Sequence, residues 1–232
     1  MVSGPATLAA AAETQDEPAA RDHEETFSGY GIMGVPFASG HVLAMRRFPA
    51  SSVGPPYTSI WRRNPDGSWV FWQDQPDTMA CPRYFSAALA ETRHVPIRLE
   101  WPSESTLRLA VPDQDFEWTA TMASSPVTRL LNTAASLIPE RGWSTHGVLS
   151  LMGSVAGTTL RAGKVDLYGS VPNGQQFIAN PRTIWVVVET TARLSGLDFG
   201  PMGPLVEQTR LGDFSIPQRG IFAMGRAFFT KA

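Results

Sequence analysis

Cysteine is nearly absent from this 232-residue chain, in which Cys81 stands alone. A single cysteine closes no intrachain disulfide and cannot build a cysteine-based zinc cluster. No histidine neighbours Cys81-Pro82-Arg83-Tyr84 to activate the thiol, so a buried, inert side chain is expected. Lysine is almost as rare: Lys164 and Lys231 are the whole complement, and arginine carries the remaining positive charge. The histidines, His23, His41, His94 and His146, show no short ligand spacing, and no metal site is expected. There is no G-x-S-x-G elbow, no G-x-x-x-x-G-K-[ST] loop and no glycine-rich dinucleotide turn, which removes the usual support for serine hydrolases, nucleotide hydrolases and Rossmann enzymes. No cofactor is expected. No apolar run approaches the length of a bilayer span, and the opening Met-Val-Ser-Gly-Pro lacks the basic and apolar regions of a secretory signal. Together with the lone cysteine, this makes a cytoplasmic location the expectation.

Charge is scarce too, at 17% of residues with a net of −2. It is uneven, because residues 1–27 hold Glu13, Asp16, Glu17, Asp22, Glu24 and Glu25 against Arg21 alone. These residues are Ala-rich with no aromatic before Phe27, and a disordered acidic tail is expected there. The body from residue 28 to 232 then has a small basic excess without a basic stripe, which argues against nucleic acid as a partner.

What the chain does have is apolar content, 43%, with 20 Gly and 19 Pro scattered through it. That combination suits many short strands joined by turns. HVLAMRRF, from His41 to Phe48, reads as a strand that is apolar on both faces until its arginines. Tyr57–Arg63 and Ser68–Gln73 flank Asn64-Pro65-Asp66-Gly67, a turn that predicts a hairpin. Arg83–Leu89, Val95–Trp101, Thr106–Val111 and Asp115–Met122 continue as a meander of predicted strands. The period then changes. Ser125-Pro126 is an N-cap and first-turn pair, and Val127, Leu130, Leu131, Ala134, Leu137 and Ile138 share a helical stripe. A second helix near Ser144–Ala156 is weakened by its glycines, so a helical insert is set at about 125–157. Strands resume at Lys164–Gly169, Thr183–Leu194 and Arg219–Phe229. The expected fold is mainly β: one antiparallel β-barrel of about ten strands, its outside covered by the helical insert.

Few residues point to chemistry. Glu189 shares one strand face with Trp185 and Val187, and a carboxylate there would be desolvated toward a pKa useful for proton transfer. If that face is the outer one, Glu189 simply pairs with Arg193. Lys164 and Asp166 share a face of the next candidate strand, where a desolvated lysine could form a Schiff base with the acid moving protons; a solvated lysine is the alternative. His41 begins a strand, either as a proton-transfer group or as a satisfied structural histidine. Trp72, Trp185, Tyr168 and Phe222 are the aromatic positions expected to line the interior against a flat or elongated apolar ligand.

The Trp61-to-Trp72 hairpin within its meander resembles lipocalin-like barrels, although the chain lacks their G-x-W opening and adds the helical insert. The resemblance implies a barrel architecture and assigns no catalytic residue. Three functions follow: a barrel binding a small apolar metabolite, with cofactor-independent acid–base isomerisation, cyclisation or hydration; a Schiff-base lyase or decarboxylase using Lys164; and a non-catalytic carrier or assembly subunit. A homo-oligomer stays open.

Overall fold

A computed structural model describes residues 4–15 and 24–230. Helix α1 (Pro5–Glu13) precedes the strands β1 (Glu24–Pro36), β2 (Val42–Ser51), β3 (Tyr57–Arg63) and β4 (Trp69–Gln73). A one-turn helix α2 (Pro82–Phe85) leads to β5 (Glu91–His94), β6 (Arg98–Ser103), β7 (Thr106–Val111) and β8 (Phe116–Ala123). Helices α3 (Pro126–Leu137) and α4 (His146–Thr159) follow, then β9 (Tyr168–Ser170), the long β10 (Gln176–Leu194) and the two-residue β11 (Leu197–Asp198). Short strands β12 (Arg210–Leu211) and β13 (Phe214–Ser215) pair with each other before β14 (Ile221–Thr230) closes the chain.

The main sheet runs β5-β4-β3-β2-β1-β14-β10-β8-β7-β6, antiparallel except for the parallel β4–β5 pair. It curls into a half-barrel rather than the closed antiparallel barrel expected from the sequence. Edge strands β5 and β6 do not pair, because β5 joins β4 in parallel and its chain then turns away. Side chains approach instead: Trp72 on β4 meets Phe116 on β8 with ring centroids 4.9 Å apart, and Arg93 donates to Gln114 at 2.7 Å.

Helix α1 lies across this open seam. The expected acidic tail therefore carries an ordered helix, while residues 16–23 of it lie outside the described residues. Alanine has the highest helix propensity, and Pro5 at the first turn lacks only an amide that would go unpaired there. Ala9 and Ala12 are buried against the concave face with Leu8 beside them. At one end Ala6 and Thr7 bond Glu104 in the β6–β7 turn; at the other, Glu13 accepts from both Arg47 and Tyr30. Glu13, counted among the acids of the expected tail, is the clamp at this end.

Both faces of the sheet are apolar, and they form separate cores. The concave face packs Ile32, Leu43, Met45, Ile60, Trp72, Trp118, Trp185 and Phe222. The opposite face packs Phe27, Ala44, Tyr57, Trp61, Phe71 and Phe177, covered by α2 and by Leu211, Phe214 and Ile216. The Asn64–Gly67 turn closes the β3–β4 hairpin as expected, with Asn64 N donating to Ser68 O at 2.8 Å. Arg83–Leu89, expected as a strand, is helical: Pro82 starts α2, Arg83 pairs with Glu25, and Tyr84 and Phe85 bury in the second core. Of the expected Lys164–Gly169 strand only its end is extended, as β9.

Helix α3 starts with a capping box in which Ser125 and Thr128 satisfy each other's backbone amides. Leu131 packs onto Ile184, Val186 and Ile221 of the sheet. Asn132 fixes the contact, donating to Ile184 O at 3.0 Å and accepting from Ile184 N at 2.8 Å. Helix α4 keeps its helical form despite its glycines because those glycines permit close packing. A Cβ on Gly153 would stand 2.4 Å from Val165 O, and one on Gly157 would stand 2.2 Å from Gly163 O.

Glu25 ties β1 to α2. It accepts from Arg83 Nη2 at 2.6 Å and Tyr84 OH at 2.5 Å. Burial opposes its charge, but the Arg83 and Tyr84 hydrogen bonds outweigh that and hold its pKa below the ordinary carboxylate value. Its stabilisation is thus complete above the unfolded-state pKa and disappears as pH falls through the lower folded-state one. Glu25→Gln is expected to cost about 1.5 kcal/mol at pH 7, the lower end for a charged hydrogen bond because Arg83 is a third exposed. In urea denaturation followed across pH, the gap from the parent protein should close in acid; a gap independent of pH would contradict the assignment.

Candidate functional site

The cavity of interest lies under the helical pair, on the face opposite the concave core. Leu131, Asn132 and Ala135 of α3 and Met152 and Ala156 of α4 form its roof; Val165 and Leu167 form one wall. Its floor is the centre of the sheet: Gly29, Gly31, Met33, Arg46 and Phe48 from β1 and β2, with Ile184, Ala223 and Gly225 from β10 and β14. The volume is about 130 Å³. The floor leaves room where Gly29, Gly31, Ala223 and Gly225 interrupt its larger side chains. Gly225 brings bare backbone against β10, where a Cβ would lie 2.0 Å from Asn180 O.

The lining is apolar with few polar groups, the usual make-up of a small-molecule site. Asn132 is consumed by its tie to Ile184. Asn180 borders the cavity, is 1% exposed, and has neither its amide oxygen nor its amide nitrogen hydrogen-bonded. Arg46 is buried, with Nη1 donating to Ile32 O at 2.9 Å and Met45 O at 2.7 Å. Its guanidinium carbon lies 4.4 Å from the centroid of the Trp61 ring. Burial brings its pKa down to about 10, with Cys81 and Tyr57 nearby working in the opposite direction.

A smaller cavity of about 60 Å³ adjoins the first and shares Met33, Arg46, Phe48, Ala179 and Ala227 with it. Trp61, Tyr57, Cys81, Tyr84 and Phe85 line its far side. Cys81 is buried as expected, and Tyr57 OH is 3.6 Å from its sulfur. Burial raises the pKa of both groups, so thiol and phenol are neutral at pH 7.

The residues singled out from sequence fall elsewhere. Glu189 was expected to share a buried face with Trp185 and Val187. A β-bulge between Val187 and Glu189 makes Val188 an extra residue, and both Val188 and Glu189 are exposed. Lys164 has a side chain 66% exposed, paired with Asp166 at 3.0 Å in the segment before β9. Asp166 also accepts from Ser215 N at 3.1 Å. His41 is buried, stacked on Phe199 at 3.9 Å and bonded to Ser39. Only Lys164 and Asp166 meet; no hydrogen bond or ion pair connects Glu189 or His41 to them among the described residues.

Trp72, Trp185 and Phe222, expected around a ligand, are packed in the concave core, where Trp185 and Phe222 have centroids 5.8 Å apart. Tyr168 stacks on His146 at 4.6 Å. These side chains pack the concave face, where a separate space of about 440 Å³ lies between α1 and Tyr30, Leu99 and Trp101; the cavity under α3 and α4 is on the other face. Arg46 and Asn180 were missed. The available signal for Arg46 was its place in HVLAMRRF, where it continues the Val42, Ala44 and Phe48 face of a strand apolar on both sides.

No protein-family model matches this chain, and no curated protein matches it. Among solved structures it is similar to acetoacetate decarboxylase from Legionella pneumophila subsp. pneumophila, at 10% identity and a TM-score of 0.40, covering 94% of this chain and 90% of that one. It is also similar to an acetoacetate decarboxylase-like enzyme from Sphingomonas wittichii RW1, at 10% identity and a TM-score of 0.37, covering 90% and 91%. No residue role is carried over from either. No helix among the described residues is long and apolar enough to cross a membrane.

The geometry makes the floor intolerant of side chains. Gly225→Ala is expected to destabilise the fold by roughly 1–3 kcal/mol, as forced overpacking does. Urea denaturation measures this; a variant as stable as the parent would show that the β10–β14 approach is looser than described.

Proposed function

We propose that this protein binds a small, mainly apolar metabolite in the cavity between α3, α4 and the centre of the sheet. The observation that carries the reading is an apolar cavity of about 130 Å³ bordered by two buried polar side chains, Arg46 and Asn180, whose hydrogen-bonding capacity the protein leaves partly unused. Pockets for drug-sized ligands run to roughly 300–1,000 Å³, so the occupant is smaller than these. The lining includes no carboxylate, histidine or lysine, so the acid–base chemistry built on Glu189 has no residue here to perform it. Binding is the function supported best.

Ala135→Phe places a ring in the cavity beneath α3. Hexan-1-ol is expected to raise the melting temperature of the parent protein and leave that of the variant unchanged. Equal stabilisation of both would place the binding elsewhere.

The Schiff-base reading has one observation in its favour. Lys164 and Asp166 flank Val165, which lines the cavity wall, and the pair is close enough for proton exchange. Against it, Nζ stands in solvent, and a lysine needs desolvation or a cationic neighbour to be a nucleophile at neutral pH. Borohydride reduction in the presence of acetoacetate separates the readings. The binding reading expects no adduct on Lys164. An adduct that disappears in Lys164→Met would establish the lyase.

A further inference from the structure

We infer that Arg46 is the receptor for a carboxylate, and that the ligand is a short apolar monocarboxylate whose head meets the guanidinium while its body lies beneath α3 and α4. The inference rests on the proposed cavity and names the class of molecule it takes.

Arg46 is an anomaly among the buried charges. Buried Glu25 has Arg83, but no carboxylate among the described residues lies within ion-pair distance of Arg46. A buried cation without a counter-charge is unfavourable, and proteins ordinarily pair it or do without it. The groups closest to supplying negative charge are Cys81 and Tyr57, which are both neutral at pH 7 for the reason given above. Backbone carbonyls of Ile32 and Met45 occupy Nη1 alone. Nε and Nη2 bond no described residue and are not sealed off as buried unpartnered atoms, which leaves this edge of the guanidinium facing the cavities that Arg46 lines.

The free edge has the geometry that carboxylates use. Nε and Nη2 form one side of the planar fork, which takes two carboxylate oxygens in parallel hydrogen bonds. The ring of Trp61 and the two carbonyls hold the plane in place before any ligand arrives. Beyond the guanidinium the lining turns apolar, with Leu131, Ala135, Met152, Ala156 and Ile184. The smaller cavity on the other side of Arg46 leaves space for a short branch. The other cation of the lining, Arg226 midway along β14, is exposed, so the buried part of the site supplies charge for one carboxylate.

The test uses the full chain and three probes, hexanoate, hexan-1-ol and inorganic phosphate, with calorimetric titration. The parent protein should bind hexanoate at least about tenfold tighter than hexan-1-ol, the lower range for a charged hydrogen-bonded pair. It should bind phosphate alone more weakly than hexanoate, since phosphate brings no apolar body. Arg46→Met should abolish the preference for hexanoate and keep the affinity for hexan-1-ol within about twofold. Arg46→Lys should retain part of the preference, because it keeps the charge and loses the fork. Should Arg46→Met fail to fold, the parent's hexanoate preference and the lysine variant decide the matter. Equal affinity for hexanoate and hexan-1-ol in the parent would overturn the inference while leaving the cavity reading intact. Hexanoate and hexan-1-ol binding that is unchanged by Ala135→Phe would overturn the cavity reading itself.

Discussion

The structure is governed by a sheet that is apolar on both faces. A curled sheet can cover one face with itself, and here Trp72, Phe116, Trp185 and Phe222 fill the concave side. The other face needs separate cover. Helix α2 and the segment around Leu211–Ile216 cover the β2–β4 end, and α3 and α4 cover the β10–β14 end. Side chains fill the first of these joins densely. At the second, Leu131 of α3 rests on Ile184, Val186 and Ile221, and a cavity remains over Gly29, Gly31, Ala223 and Gly225. The site is a consequence of how two kinds of cover meet over one sheet.

The same constraint explains α1. Because β5 pairs in parallel with β4 and stops short of β6, the concave core is open along one seam. An alanine-rich helix is narrow enough to lie in that opening, and Glu104, Arg47 and Tyr30 hold its two ends. Closure by a helix in place of strand pairing separates this fold from a lipocalin-like barrel, although both bury an aromatic interior.

Much of the fold was legible in the residues. Asn64–Gly67 specified its hairpin, Ser125-Pro126 started α3, and the change of period after Met122 located the helical pair. The failures have physical causes. Arg83–Leu89 looks β-like until Pro82 and the Glu25 ion pair are considered, and Glu25 lies far away in the sequence. Residues 5–13 were expected to be disordered because an alanine-rich, acidic stretch without aromatics shows no partner in its own sequence, and Glu13's partner, Arg47, lies far along the chain. Alternation along β10 put Glu189 on the face of Trp185 and Val187, inner or outer, but a one-residue bulge separates it from both, and nothing in Val186-Val187-Val188-Glu189 announces it. The site was the least legible part. It depends on small residues in four separate elements and on a missing counter-charge, and a missing partner has no signature in one sequence.

Arg46 brings these points together, since a cation placed at the join of two cavities makes the protein less comfortable when empty than when occupied. The most direct measurement is a crystal of the full chain soaked with 6-bromohexanoate and examined for anomalous scattering from bromine. The account predicts a peak beneath α3 and α4, with the carboxylate against Nε and Nη2 of Arg46. A peak between α1 and Trp101, in the space lined by Ala9, Tyr30 and Leu99, or a carboxylate bound away from Arg46, would contradict it.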